Sequence, residues 1–134
     1  MPGGSTLVGY GAFVLVKAGG YVLAGFAARR RHPGANVPAV AFGVVRTLIG
    51  ILFGVAVGGI CRELGATGPF PILAALLPIR LVEWWLVLRI FVRDASATRG
   101  RIAVDVAYGT AWSYVLDVIG IVSAFVVPGG FWVC

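Results

Sequence analysis

The stretch LLPIRLVEWWLVLRIFVRD, residues 76–94, decides how this chain is read. Its aliphatic and aromatic content suits hydrocarbon, yet it carries Pro78, Arg80, Glu83, Arg89 and Arg93. Either it crosses a bilayer with a charged centre, or it lies along a surface. The rest of the chain bears on the choice. Of 134 residues, 60% are hydrophobic and only 12% charged, and mean hydropathy is +0.99. Soluble domains are about one quarter charged. A water-soluble fold of this length has too little interior to hide so much apolar surface, so the expected solvent is lipid.

Four apolar segments run at about 6–28, 38–61, 70–92 and 102–127. Each approaches or exceeds the roughly 20 residues that cross a bilayer core. The expected fold class is therefore all-α: a polytopic membrane protein, residues 1–134 forming a single transmembrane domain as a four-transmembrane-helix bundle. The connection RRRHPGANVP and the connection RDASATRGR are basic, whereas CRELGATGPFP balances Arg62 with Glu63 and MPGGST has no basic side chain. Basic loops stay in the cytoplasm, which puts both termini on the non-cytoplasmic side. The expected location is a bacterial or archaeal plasma membrane. Without a positive leader or a small-residue cleavage site, the first span reads as an anchor and not as a removable signal. The net charge of +6 lies largely in these loops, which favours membrane lipid over nucleic acid as a partner.

Glycines in the second span recur on one helix face: Gly43, then Gly50, Gly54 and Gly58 at intervals of four. Small-xxx-small stripes let helices approach closely in lipid, where hydrophobic burial supplies no drive. The partner is either a neighbouring helix or a second copy of the chain, and a homo-oligomer or a larger membrane complex fits equally. Arg46 lies on the same face. The first span groups Lys17 with Tyr21, and the fourth groups Ser113, Tyr114 and Asp117.

Seven ionisable residues fall inside the expected spans: Lys17, Arg46, Arg80, Glu83, Arg89, Asp105 and Asp117. Each costs about 2.5–3.5 kcal/mol at a helix centre on an insertion scale. Intramembrane charges face the bundle interior, pair with one another and mark functional sites. Depth along the helices, at about 1.5 Å per residue, layers them as Arg89 with Asp105, Glu83 with Arg46 or Lys17, and Arg80 with Asp117. Glu83 is the centre of this cluster, a single acid among several cations. Lys17, Arg46, Arg80, Glu83 and Asp117 are the candidate substrate or ion path, with Trp84, Tyr21 and Tyr114 as supporting aromatics. Pro78 is expected to kink the third span and free the carbonyl of Ala74, for which Arg80 is a candidate donor. The bland alternative is that these pairs merely fix helix register.

Several chemistries lack their residues. The one histidine, His32, lies in a basic loop and reads as solvated, so paired haem ligation and a histidine-rich metal site are not expected, nor is any cofactor. No GxSxG, HExxH, Walker or CxxC pattern occurs, and no nucleophile–base pair suggests an enzyme. Asp94 and Arg99 share one spacing with the Asp-rich motif of enzymes that transfer phosphoalcohols from CDP-linked lipids, but its glycines and later aspartates are missing. Cys61 and Cys134 both fall on the expected outer side, where an oxidising compartment would let them pair. Three functions fit the pattern. The leading one is a transporter, channel or small-ligand-binding bundle. The others are an accessory subunit of a larger complex, and a membrane-embedded enzyme or binder acting on a lipid headgroup.

Overall fold

The computed structural model describes residues 3–65, 69–93 and 97–126. Among them the chain forms four α-helices: α1 (Gly3–Arg31), α2 (Ala39–Glu63), α3 (Pro69–Phe91) and α4 (Arg99–Val126), with a single 3-10 turn at Pro33–Ala35 between α1 and α2. Every helix end lies within three residues of the expected bounds, and α1 runs three residues past the expected end of its apolar segment. Hydropathy marks where the apolar run stops, whereas the backbone keeps coiling through Arg29–Arg31, whose side chains turn outward.

Local chemistry ends the helices. Pro33 cannot continue the α1 hydrogen-bond ladder, and Asn36 takes a left-handed φ of 45° to turn the chain towards Pro38 and α2. At the end of α2, Gly65 adopts φ 66° and its N–H bonds to the carbonyl of Arg62, so a residue without a Cβ closes the last turn. α3 continues through Pro78. In the turn before it, the Tyr114 hydroxyl donates to the Leu73 carbonyl at 3.0 Å, tying α4 to the segment that the proline weakens.

Each helix packs on its sequence neighbours, and α1 with α4 closes the ring. The direction of each pairing follows from contacts that run oppositely along the two helices. In α1 against α4, His32 meets Asp105, Tyr21 meets Ser113 and Lys17 meets Asp117. The up-and-down order follows from the short connections. α1 and α2 approach most closely where glycines face backbone. A Cβ on Gly43 would stand 2.7 Å from the Val22 nitrogen, and one on Gly25 would stand 2.7 Å from the Ala39 carbonyl oxygen. Gly54 is buried as well. Gly58 has nothing within 4 Å of where its Cβ would stand, and Gly50 meets only the Arg46 side chain. Gly43 thus packs against the α1 backbone, whereas Gly50 and Gly58 do not.

The distribution of side chains inverts that of a water-soluble protein. Arg46, Arg80 and Glu83 are at most 2% exposed, while Leu15 is 74% and Leu52 70% exposed. Three helical stretches, Gly9–Arg31, Ala39–Glu63 and Arg99–Gly120, are long and apolar enough to cross a membrane. α3 carries Arg80, Glu83 and Arg89 within an otherwise apolar stretch of 23 residues. Charged residues inside and aliphatic residues outside suit a hydrocarbon surrounding, where only internal pairing can satisfy a polar group.

Candidate functional site

Four-residue spacing along α4 builds the site. Asp105, Gly109, Ser113 and Asp117 share one face and meet all three other helices. At the deep end, Asp117 is held between α1 and α3: Lys17 Nζ lies 2.5 Å from Oδ1, and Arg80 Nη2 lies 3.0 Å from Oδ2. Arg80 also approaches Glu83, one turn on, at 3.6 Å. Glu83 takes its short contact from α2, with Arg46 Nη2 at 2.6 Å. The five candidate path residues are therefore one connected network of Lys17, Asp117, Arg80, Glu83 and Arg46. All are buried.

One hydroxyl joins the network to the aromatics. Ser113 Oγ accepts from Trp84 Nε1 at 2.8 Å, from the Tyr21 hydroxyl at 3.3 Å and from Arg46 Nη2 at 3.4 Å. Tyr21 in turn accepts from Arg80 Nη1 at 3.5 Å. The Arg46 guanidinium lies 4.7 Å from the Tyr21 ring centroid and 5.2 Å from that of Trp84, which gives its charge two aromatic faces. Gly109 is what admits Trp84, because a Cβ there would overlap the indole ring. Ser113 belongs to the polar stripe of the fourth span, which by itself gives it no role. Extending the run from Asp117 through Ser113 and Gly109 to Asp105 would have marked it.

The satisfaction of these groups is uneven. Arg46 Nε and Nη1 and Arg80 Nε are buried without a hydrogen-bond partner among the described residues, as is Thr110 Oγ1. Asp117 Oδ1 has its charge answered by Lys17. Beside the network lies a cavity of about 20 Å³ walled by Lys17, Tyr21, Thr47, Gly50 and Arg80, with Phe13 below. Glu83 is not on its wall.

A second polar cluster sits at the other end of α4. His32 Nε2 lies 2.5 Å from Asp105 Oδ2, and Arg31 Nη2 lies 2.7 Å from Oδ1. Arg101 donates to the Arg31 carbonyl at 2.7 Å. His32 is 1% exposed, which corrects its reading as a solvated loop residue. Its N–H continues the α1 ladder to Ala28, so its ring follows Ala28 onto the inner face. The expected Arg89–Asp105 layer is likewise corrected. Arg89 lies on the outer side of α3, 5.6 Å from the ring of the exposed Trp85, and Asp105 is taken by α1. Arg80 spends its terminal nitrogens on Asp117, Glu83 and Tyr21, and not on the carbonyl freed by Pro78.

Between α1 and α4 runs an open groove of about 400 Å³, lined mainly by apolar side chains such as Leu23, Ala27, Leu88 and Trp112, with Arg31 and Asp105 also on its wall. Among the described residues no group of His, Cys, Asp or Glu is arranged to hold a metal. Cys61 is buried against Val57 and Leu76, and Cys134 lies outside the described residues. No protein-family model, curated protein or solved structure matches the chain, so the site is read from its own geometry.

Proposed function

We propose that this chain is a four-span integral membrane protein, with basic loops cytoplasmic and both termini on the opposite side. Its charged interior binds a small ligand, as a transporter, a channel or a ligand-binding bundle would. α3 joins the other three as a span because Arg80 and Glu83 are paired inward while Leu77, Leu81, Val82 and Ile90 face outward. Its 23 residues measure about 34 Å, enough to cross hydrocarbon.

The observation that carries the ligand-binding reading is the cavity that shares Lys17 and Arg80 with the charge network. Reconstitution into liposomes tests it, with potassium, chloride and proton flux each followed against protein-free vesicles. Flux of one of them, lost in Glu83→Gln and kept in Glu83→Asp, is the expected result. No flux, no ligand-dependent stabilisation and isolation only in a fixed ratio with other membrane proteins would favour the accessory-subunit reading.

The α1–α4 groove favours one second reading, a lipid-binding site with an acyl chain against Leu23 and Trp112 and a headgroup near Arg31. Co-purification of an anionic lipid that is lost in Arg31→Gln would support it.

A further inference from the structure

We infer that the corner where α1 turns towards α2 binds the phosphate and head group of one anionic membrane phospholipid. The site is separate from the charged interior and from the α1–α4 groove, and it rests only on α1 crossing the membrane.

The first observation is the hollow itself. Phe26, Arg29, Arg30, Pro33 and Asn36 line an open space of about 380 Å³. Spacings of three and four carry Phe26, Arg29, Arg30 and Pro33 along one side of α1 and into the turn that follows it. Asn36 joins them where its left-handed φ of 45° redirects the chain.

The second is the order of the chemistries along the helix. Phe26 is 48% exposed and follows Leu23, 62% exposed, on the apolar part of α1. The two arginines come three and four residues later, about 5–6 Å further along the axis. Beyond them Asn36 supplies an amide that both donates and accepts. Apolar, then cationic, then hydrogen-bonding is the order in which a phospholipid presents its acyl chains, its phosphate and a hydroxylated head. Guanidinium groups suit the phosphate because each offers it paired N–H donors.

The third is that the arginines ending α1 are not equivalent. Arg31 is taken by Asp105 at 2.7 Å and stands over the Tyr108 ring. Arg29 and Arg30 are exposed, and among the described residues neither meets a carboxylate. No acid lines the hollow. The C-terminal end of a helix carries about half a negative charge, which two full positive charges outweigh. A choline or ethanolamine head would bring a further cation beside the arginines, so the fit is to a lipid of net negative charge.

The test uses the whole chain in a neutral detergent, titrated with phosphatidylglycerol or with phosphatidylcholine of the same acyl chains, while native mass spectrometry counts the lipids retained. The wild type retains one phosphatidylglycerol in preference to phosphatidylcholine. Arg29→Gln combined with Arg30→Gln weakens that binding about thirtyfold, roughly fivefold for each arginine. Arg93→Gln combined with Arg99→Gln removes two exposed charges outside the hollow, and salt screening keeps its effect below about threefold. Both double variants melt close to wild type, since all four side chains are exposed. Equal losses in the two double variants would mean a diffuse basic surface and overturn the site, as would equal retention of the two lipids. Inorganic phosphate that displaces the lipid at equal concentration overturns the lipid assignment. Loss of the lipid in Arg31→Gln, with the Arg29 and Arg30 variant unaffected, moves the head group to the α1–α4 groove and overturns the corner site. Alkaline washing of membranes holding the chain separates the two levels of the argument. A chain released by the wash loses its span and this site with it, whereas a retained chain indifferent to phosphatidylglycerol loses the site alone.

Discussion

Arg46 Nη2 stands 2.6 Å from Glu83 Oε2, and neither side chain is exposed. Buried pairs of this kind are costly to break and much less costly to replace. Glu83→Gln, which leaves Arg46 without a carboxylate, should lower unfolding stability by about 3–5 kcal/mol. The double change Arg46→Met with Glu83→Leu should lose far less. Thermal melts of the three proteins in one detergent check this, and a double mutant as damaged as the single would sink it.

The two aspartates of α4 should differ in their worth. Asp117→Asn strips the carboxylate charge from both Lys17 and Arg80, two buried cations, and the expected loss is about 3–5 kcal/mol. Asp105→Asn affects Arg31, whose side chain is 44% exposed, and His32, whose ring N–H can donate to an amide oxygen as well as to a carboxylate. Its loss should be clearly smaller. Equal yields and equal melting of the two variants would contradict this ranking.

His32→Ala should not behave as a loop substitution. Removing a buried hydrogen bond to a charged group costs about 1.5–3 kcal/mol, whereas a solvated loop residue would cost almost nothing. Denaturation of the purified variant beside Pro33→Ala, an exposed neighbour, gives the comparison.

Glycines of the second span should separate into two groups. Gly43→Ala forces a methyl into the Val22 backbone and should cost about 1–3 kcal/mol. Gly58→Ala meets nothing within 4 Å and should change stability by less than about 0.5 kcal/mol. Parallel melts of the two alanine variants decide it, and a Gly58 variant that unfolds the monomer would show that the stripe packs elsewhere.

How much of this could be read from the residues depended on whether depth alone sufficed. The helical segments and the inward charges were legible, because apolar length and four-residue spacing are both written in one dimension. Depth assigned Arg80 to Asp117 and Glu83 to Arg46 or Lys17, and the interior network contains the first contact and the Arg46 contact. It assigned Arg89 to Asp105 because it ignored angle. Arg89 follows Trp85 by four residues and shares its outer face. His32 reads as solvated because it follows three arginines, yet it follows Ala28 by four residues and inherits that inner position. The role of Ser113 needed three helices to be placed at once, which no single-helix pattern contains.

The arrangement of interior charge also bears on how the chain is assembled. The α1–α2 hairpin brings Lys17 and Arg46 into the interior and no acid to meet them. The α3–α4 hairpin brings Arg80 with Glu83 and Asp117, a surplus of negative charge at the same depth. Neither half is electrically content by itself, and two copies of either half repel where two unlike halves attract. In the proposed topology the first hairpin would reach lipid before its counter-charges are made. Separated from α3 and α4, it would leave Lys17 and Arg46 without the two acids that face them in the folded bundle.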